Sequence, residues 1–65
     1  MKLTVNGEAT EIQASTLEAA LEALGYGGQA VATALNEAFV PKGARATTEL
    51  NDGDRLEIVT PRQGG

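Results

Sequence analysis

Polar and apolar residues alternate from Lys2 to Val5, the period-two pattern of a strand with one buried face. Asn6-Gly7 follows, a pair that tolerates the positive φ angles of a two-residue hairpin turn. The chain is therefore expected to return antiparallel over Glu8 to Ile12. A two-residue turn fixes the register, pairing Val5 with Glu8, Leu3 with Thr10 and Met1 with Ile12. That register puts Met1, Leu3, Val5 and Ile12 on one face, assigned to the core. It sets Lys2 opposite Glu11 on the other face as a cross-strand charge pair.

The period then changes. Leu17, Ala20, Leu21 and Leu24 recur at i, i+3, i+4 and i+7, the single apolar stripe of a short helix. Ser15, with Glu18 three residues on, reads as an N-cap and capping box. Gly25 is expected to end the helix in a left-handed conformation. Gly25-Tyr26-Gly27-Gly28 is glycine-rich, but a phosphate-cradling loop would precede a helix. Here the glycines follow one, so they read as a helix stop and connector.

A third strand is expected over Ala30 to Leu35, with Val31, Thr33 and Leu35 on one side and Ala32 and Ala34 on the other. The pattern leaves open which side meets the helix. Asn36-Glu37 reads as a turn and Phe39-Val40 as a short extended piece stopped by Pro41. Lys42 to Thr48 reads as a loop or short irregular turn. Asn51-Asp52-Gly53 is a second strong turn signal. Asp54 to Thr60 is the last strand, with Leu56 and Ile58 inward. Pro61 ends its pairing, having no N–H to donate.

This order implies an α+β domain over residues 1–60, one helix packed on a mixed sheet. The first and last strands are expected to be parallel neighbours at its centre, as in a β-grasp fold. Residues 61–65 are expected to form a flexible tail.

Composition narrows the chemistry. The 65 residues include no cysteine and no histidine. Thiol nucleophiles, disulfides, the usual zinc ligand sets and imidazole acid–base catalysis are thereby excluded. Nine acidic residues against five basic give a net charge of −4. That balance argues against nucleic acid, whose binding draws on phosphate neutralisation. It suits a basic protein partner as well as plain solubility. No basic leader precedes an apolar run and no apolar run could span a membrane. A cytoplasmic location, no membrane partner and a monomeric free state are expected. Asp52-Gly53-Asp54 lacks the further spaced oxygen ligands that calcium needs. Ser15 has no histidine with which to build a nucleophile triad. No catalytic residue, metal site or resident cofactor is expected inside the chain.

What remains is the end. Read as a terminus, Gly64-Gly65 carries a free carboxylate. Two residues without Cβ can be drawn through a narrow channel. The carboxylate is ionised at neutral pH and a poor electrophile, so it would need activation, as an acyl-adenylate made from ATP by a partner enzyme. Gly65 is the expected site of covalent modification. Gly64, Gln63 and Arg62 are expected to serve threading and recognition. Arg62 would meet an acidic or carbonyl-lined surface, or else be a solvated charge. Phe39 is read as a core or sheet-edge residue ahead of a docking anchor.

The chain resembles the ThiS family of sulfur carriers along essentially its whole length. The resemblance is carried by Leu3-Thr4-Val5-Asn6-Gly7-Glu8 and by Ala34-Leu35-Asn36-Glu37 leading to Val40-Pro41. It continues through Leu50-Asn51-Asp52-Gly53-Asp54 and Glu57-Ile58-Val59, and closes at Gly64-Gly65. The Asp-Gly-Asp turn and Gly-Gly end occur in related carriers too. The resemblance implies that a ThiF-type enzyme adenylates Gly65 with ATP and magnesium. A sulfur donor protein then supplies sulfur for a thiocarboxylate, which a ThiG-type thiazole synthase consumes in thiamine biosynthesis. Other destinations for the same tail are a molybdopterin synthase small subunit-like role or a ubiquitin-like modifier joined to lysines. A plain interaction domain is the reading without tail chemistry.

Overall fold

The computed structural model describes residues 1–61. Five strands form one sheet: β1 (Lys2–Val5), β2 (Glu8–Glu11), β3 (Ala32–Leu35), β4 (Ala38–Val40) and β5 (Arg55–Val59). Their spatial order is β2-β1-β5-β3-β4. β1 and β5 are parallel, and the other neighbours are antiparallel. One helix, α1 (Leu17–Ala23), and a 3₁₀ helix (Lys42–Thr47) complete the elements. This is the α+β, β-grasp arrangement that the strand and helix order implies.

The hairpin turns set the register. Asn6 and Gly7 have φ of 50° and 85°, and Asn36 and Glu37 have φ of 51° and 72°. Paired positive φ values match the right-handed twist of the strands they join. Val5 accordingly faces Glu8, and Leu3 faces Thr10. The Met1–Ile12 rung forms as well, with Ile12 N–H donating to the Met1 carbonyl at 3.0 Å. Lys2 does lie opposite Glu11. The Glu11 carboxylate, however, pairs with the Met1 ammonium at 2.9 Å, so the expected Lys2–Glu11 ion pair is not the one formed.

Leu3, Ile12, Leu17, Ala20, Leu21, Val40, Leu50, Leu56 and Ile58 are the buried apolar core. Leu3, Leu17, Leu56 and Thr33 are its most enclosed side chains. Burial of Thr33 settles which side of β3 faces inward: Thr33, with Val31 and Leu35 packed against the core. Two alanines, Ala32 and Ala34, take the outer face. Removing a leucine-sized apolar surface from water stabilises by about 2 kcal/mol, so these few side chains carry much of a small domain's stability.

Helix α1 starts one residue later than the capping-box pattern predicts. Thr16, in extended conformation, is the N-cap, and its Oγ1 accepts from Ala19 N–H at 3.2 Å. Ser15 is committed elsewhere. Its carbonyl accepts from Leu50 N–H at 3.0 Å, and Leu17 N–H donates to the Thr48 carbonyl at 2.9 Å. This bridge keeps the chain extended through Thr16 and starts the helix with Leu17 buried. At the other end Gly25 has φ of 92°. Gly25 N–H reaches the Glu22 carbonyl and Tyr26 N–H the Leu21 carbonyl, at 3.1 and 2.8 Å. Those are the two bonds of a Schellman stop, as the glycine position predicts.

The segment read as a loop or short irregular turn, Lys42 to Thr48, is a regular 3₁₀ helix over Lys42–Thr47. It is anchored by Arg45, a buried side chain. Arg45 Nε donates to Thr33 Oγ1 at 3.2 Å, and Nη2 donates to the Val31 carbonyl. Thr33 Oγ1 in turn donates to the Val40 carbonyl at 3.0 Å. A polar segment without periodicity is thus fixed by contacts to a strand far away in sequence.

Candidate functional site at the exit of the central strand

Strand β5 is the central strand, held by β1 on one side and β3 on the other. It is also the strand that leads to the Gly-Gly end of the sequence. Its partners hold it almost to the exit, since Ala32 pairs with Val59 and Thr33 with Ile58. On the β1 side the backbone ladder stops at Val5–Leu56, with Asn6 N–H donating to the Leu56 carbonyl at 2.9 Å. The Asn6 side chain then supplies the next rung. Its Oδ1 accepts from Ile58 N–H at 2.8 Å, and its Nδ2 donates to the Ile58 carbonyl at 3.1 Å.

The other turn asparagine holds the beginning of β5. Asn36 Oδ1 accepts from Arg55 N–H at 2.9 Å, and Asn36 Nδ2 donates to Asp54 Oδ1 at 3.0 Å. Asp54 Oδ2 accepts from Asn51 N–H at 2.8 Å. Asp52 Oδ1 accepts from Lys2 N–H at 2.6 Å. The carboxylates of the Asp52-Gly53-Asp54 turn are therefore used on backbone and side-chain donors. That agrees with the turn reading and leaves no cluster of metal-ligating side chains among the described residues.

Sequence reasoning identified Asn6 and Asn36 only as turn formers. Their contacts with β5 span 52 and about 19 positions, and no local pattern signals a side chain that replaces a distant backbone rung. Arg45 was missed as well. Polar loops are rich in arginine, and burial is what distinguishes this one.

Gly65, Gly64, Gln63 and Arg62 all lie outside the described residues. The structure brings the chain to Pro61, beside a cavity of about 420 Å³ whose lining includes Val31, Ala32, Lys42, Arg45, Val59 and Pro61. Phe39 is 70% exposed on edge strand β4 and Val59 is 63% exposed on β5. Of the two positions allowed for Phe39, the sheet edge is correct and the core is not. It pairs with Ala34, and residues alternate faces along a strand. Phe39 and Val59 therefore share the sheet face opposite α1, with Ala32 and Ala34 on the strand between them. No helix among the described residues is long and apolar enough to cross a membrane.

A five-stranded mixed sheet with a parallel β1–β5 pair at its centre and one helix packed on it defines a ubiquitin-like β-grasp fold. The model of the ThiS family matches residues 3–65, and the chain belongs to that family. Among solved structures it is similar to the thiamine biosynthesis protein ThiS from Geobacter metallireducens. The TM-score is 0.81 at 31% identity, with all of both chains covered. It is also 47% identical over 66 residues to a thiazole synthase of Paramagnetospirillum magneticum. A thiazole synthase of Magnetococcus marinus is 36% identical over 66 residues. All of this chain is covered in both alignments, but it spans only 20% of the length of each of those relatives.

Proposed function

We propose that this protein is a sulfur carrier for thiamine thiazole formation, a bearer of sulfur and not itself a catalyst. The observation that carries the reading is the family match over residues 3–65, which includes Gly64-Gly65 and all but the first two residues of the chain. Similarity to two thiazole synthases supports thiazole synthase as the destination over the molybdopterin and modifier alternatives.

The proposed chemistry sits at Gly65. A ThiF-type enzyme joins the Gly65 carboxylate to the α-phosphorus of MgATP, releasing pyrophosphate. The acyl carbon is now electrophilic, because AMP is a good leaving group. A hydrosulfide equivalent from a sulfur donor protein attacks it, AMP departs, and the thiocarboxylate remains with loss of a proton. Thiazole synthase then takes the sulfur. A chain without cysteine must acquire sulfur from outside, and a terminal thiocarboxylate stores it with no side chain.

The fold's part is to hold the tail out. Four residues follow Pro61, and fully extended they span roughly 13 Å, enough to enter a partner's active site while the domain stays outside. Gly65 has no Cβ beside the reacting carbon, and Gly64 has none one residue before it. Gln63 and Arg62 contact the walls of the partner's channel. The free protein is proposed to be a cytoplasmic monomer.

Deleting Gly65 tests this reading. Sulfur loading by the activating enzyme, ATP and a sulfur source should be lost, while the circular dichroism spectrum and melting temperature stay those of the intact chain. Loading that survives the deletion would refute it.

A further inference from the structure

The buried guanidinium of Arg45 is held by two neutral acceptors, the Thr33 hydroxyl and the Val31 carbonyl. Among the described residues it has no salt bridge to a carboxylate, and neither does Lys42. Charge taken out of water is costly unless paired and hydrogen-bonded, so an arginine left with neutral partners is unusual. No buried side-chain nitrogen among the described residues lacks a partner. Among the described residues Nη1 makes no hydrogen bond, so it is the atom of the guanidinium that remains available there.

The cavity beside Pro61 is where that charge is presented. Lys42 and Arg45 line it, and no acidic residue does. A smaller neighbouring cavity of about 300 Å³ is also lined by Lys42 and Arg45, together with Glu18 and Glu22. Neither glutamate forms a salt bridge with the two cations among the described residues. Two of the five basic residues of an otherwise acidic chain therefore meet at this cavity.

We propose that this cavity receives a carboxylate side chain, aspartate or glutamate, from the enzyme that handles the tail. The inference rests on the carrier reading, which supplies the partner. The Thr33 and Val31 contacts already fix the arginine head. A carboxylate arriving at Nη1 therefore immobilises little that was free, and preorganised arginine favours such pairing. Lys42, exposed beside it, adds a second donor. One buried charge pair at the base of the tail would set the rotation of the domain on the partner, as complementary charges fix register. Gly65 would thereby be aimed.

The test uses the full chain with the activating enzyme and with thiazole synthase separately. Affinity is measured for wild type, Lys42→Glu and Arg45→Gln at low and moderate salt, and sulfur loading is followed for wild type. Lys42→Glu is expected to weaken binding to one of the two enzymes tenfold or more, with the loss shrinking as salt rises. Arg45→Gln should weaken the same complex; if it fails to fold, exposed Lys42 decides alone. Wild type that loads sulfur, alongside variants that bind both enzymes within twofold of it, overturns the pocket and leaves the carrier standing. Wild type that neither binds nor loads overturns the carrier reading, and this occupant with it. Saturation of the Arg45 Nε–H signal by submillimolar inorganic phosphate, with both enzymes still bound by Lys42→Glu, would assign the cavity to a phosphate and overturn the proposal.

Discussion

Replacing Asn6 by glycine isolates the side-chain rung that closes β1 against β5. Asn6 has φ of 50°, so a substitution to alanine would mix lost hydrogen bonds with backbone strain. Glycine accepts the same φ and removes only the side chain. Two bonds to Ile58 disappear, at 2.8 and 3.1 Å. Each contributes about 1 kcal/mol net, and glycine adds about 0.5 kcal/mol of unfolded-state entropy. The expected loss is therefore roughly 2–3 kcal/mol. That is a large share of the roughly 3–10 kcal/mol available to a domain this size. In a thermal melt each kcal/mol corresponds to about 4–8 °C, so the midpoint should fall by roughly 10–20 °C. Asn6→Asp keeps an acceptor for Ile58 N–H but sets a carboxylate oxygen against the Ile58 carbonyl, so it should destabilise as well. Amide exchange at Ile58 should accelerate in both variants. An Asn6→Gly protein within about 0.5 kcal/mol of wild type, the range of a neutral surface change, would refute the reasoning.

Leu56 is fully buried and stands in register with both Val5 and Leu35. Leu56→Ala should cost about 2–5 kcal/mol and leave much of the chain unfolded at 25 °C, which circular dichroism would read directly. Phe39, the large exposed aromatic of β4, should tolerate serine with a stability change of no more than about 0.5 kcal/mol in urea denaturation. A larger loss would show that it packs into the core after all.

The hairpins and the apolar stripe are legible because they are local. Asn6-Gly7 dictates a register, and the period-two side-chain alternation then decides which of Leu3 and Lys2 faces the core. Gly25 announces the helix stop for the same local reason. The errors come from contacts that cross the chain. Ser15 has the right side chain for a cap, but its carbonyl is taken by Leu50, and the cap moves to Thr16. Residues 42–47 lack any period, and their 3₁₀ helix is ordered by Arg45 reaching across to β3. The Asn6–Ile58 latch joins the two ends of the domain, so nothing near Asn6 could signal it.

The site divides in the same way. A glycine pair after a strand is readable in the sequence, and the fold adds that this strand is central and pinned by two asparagines. The sulfur chemistry proposed at Gly65 rests on family resemblance, because a carboxylate carries no mark of its later fate. The cavity beside Pro61 is legible in neither pattern nor resemblance, since Lys42 and Arg45 come to line it with Pro61 only in three dimensions.

Intact mass spectrometry of the protein after incubation with a ThiF-type enzyme, MgATP and a sulfur source tests the central claim most directly. The account predicts a gain equal to one oxygen exchanged for one sulfur, located by fragmentation to Gly65. An unchanged mass, in a reaction where a control carrier is loaded, would contradict it.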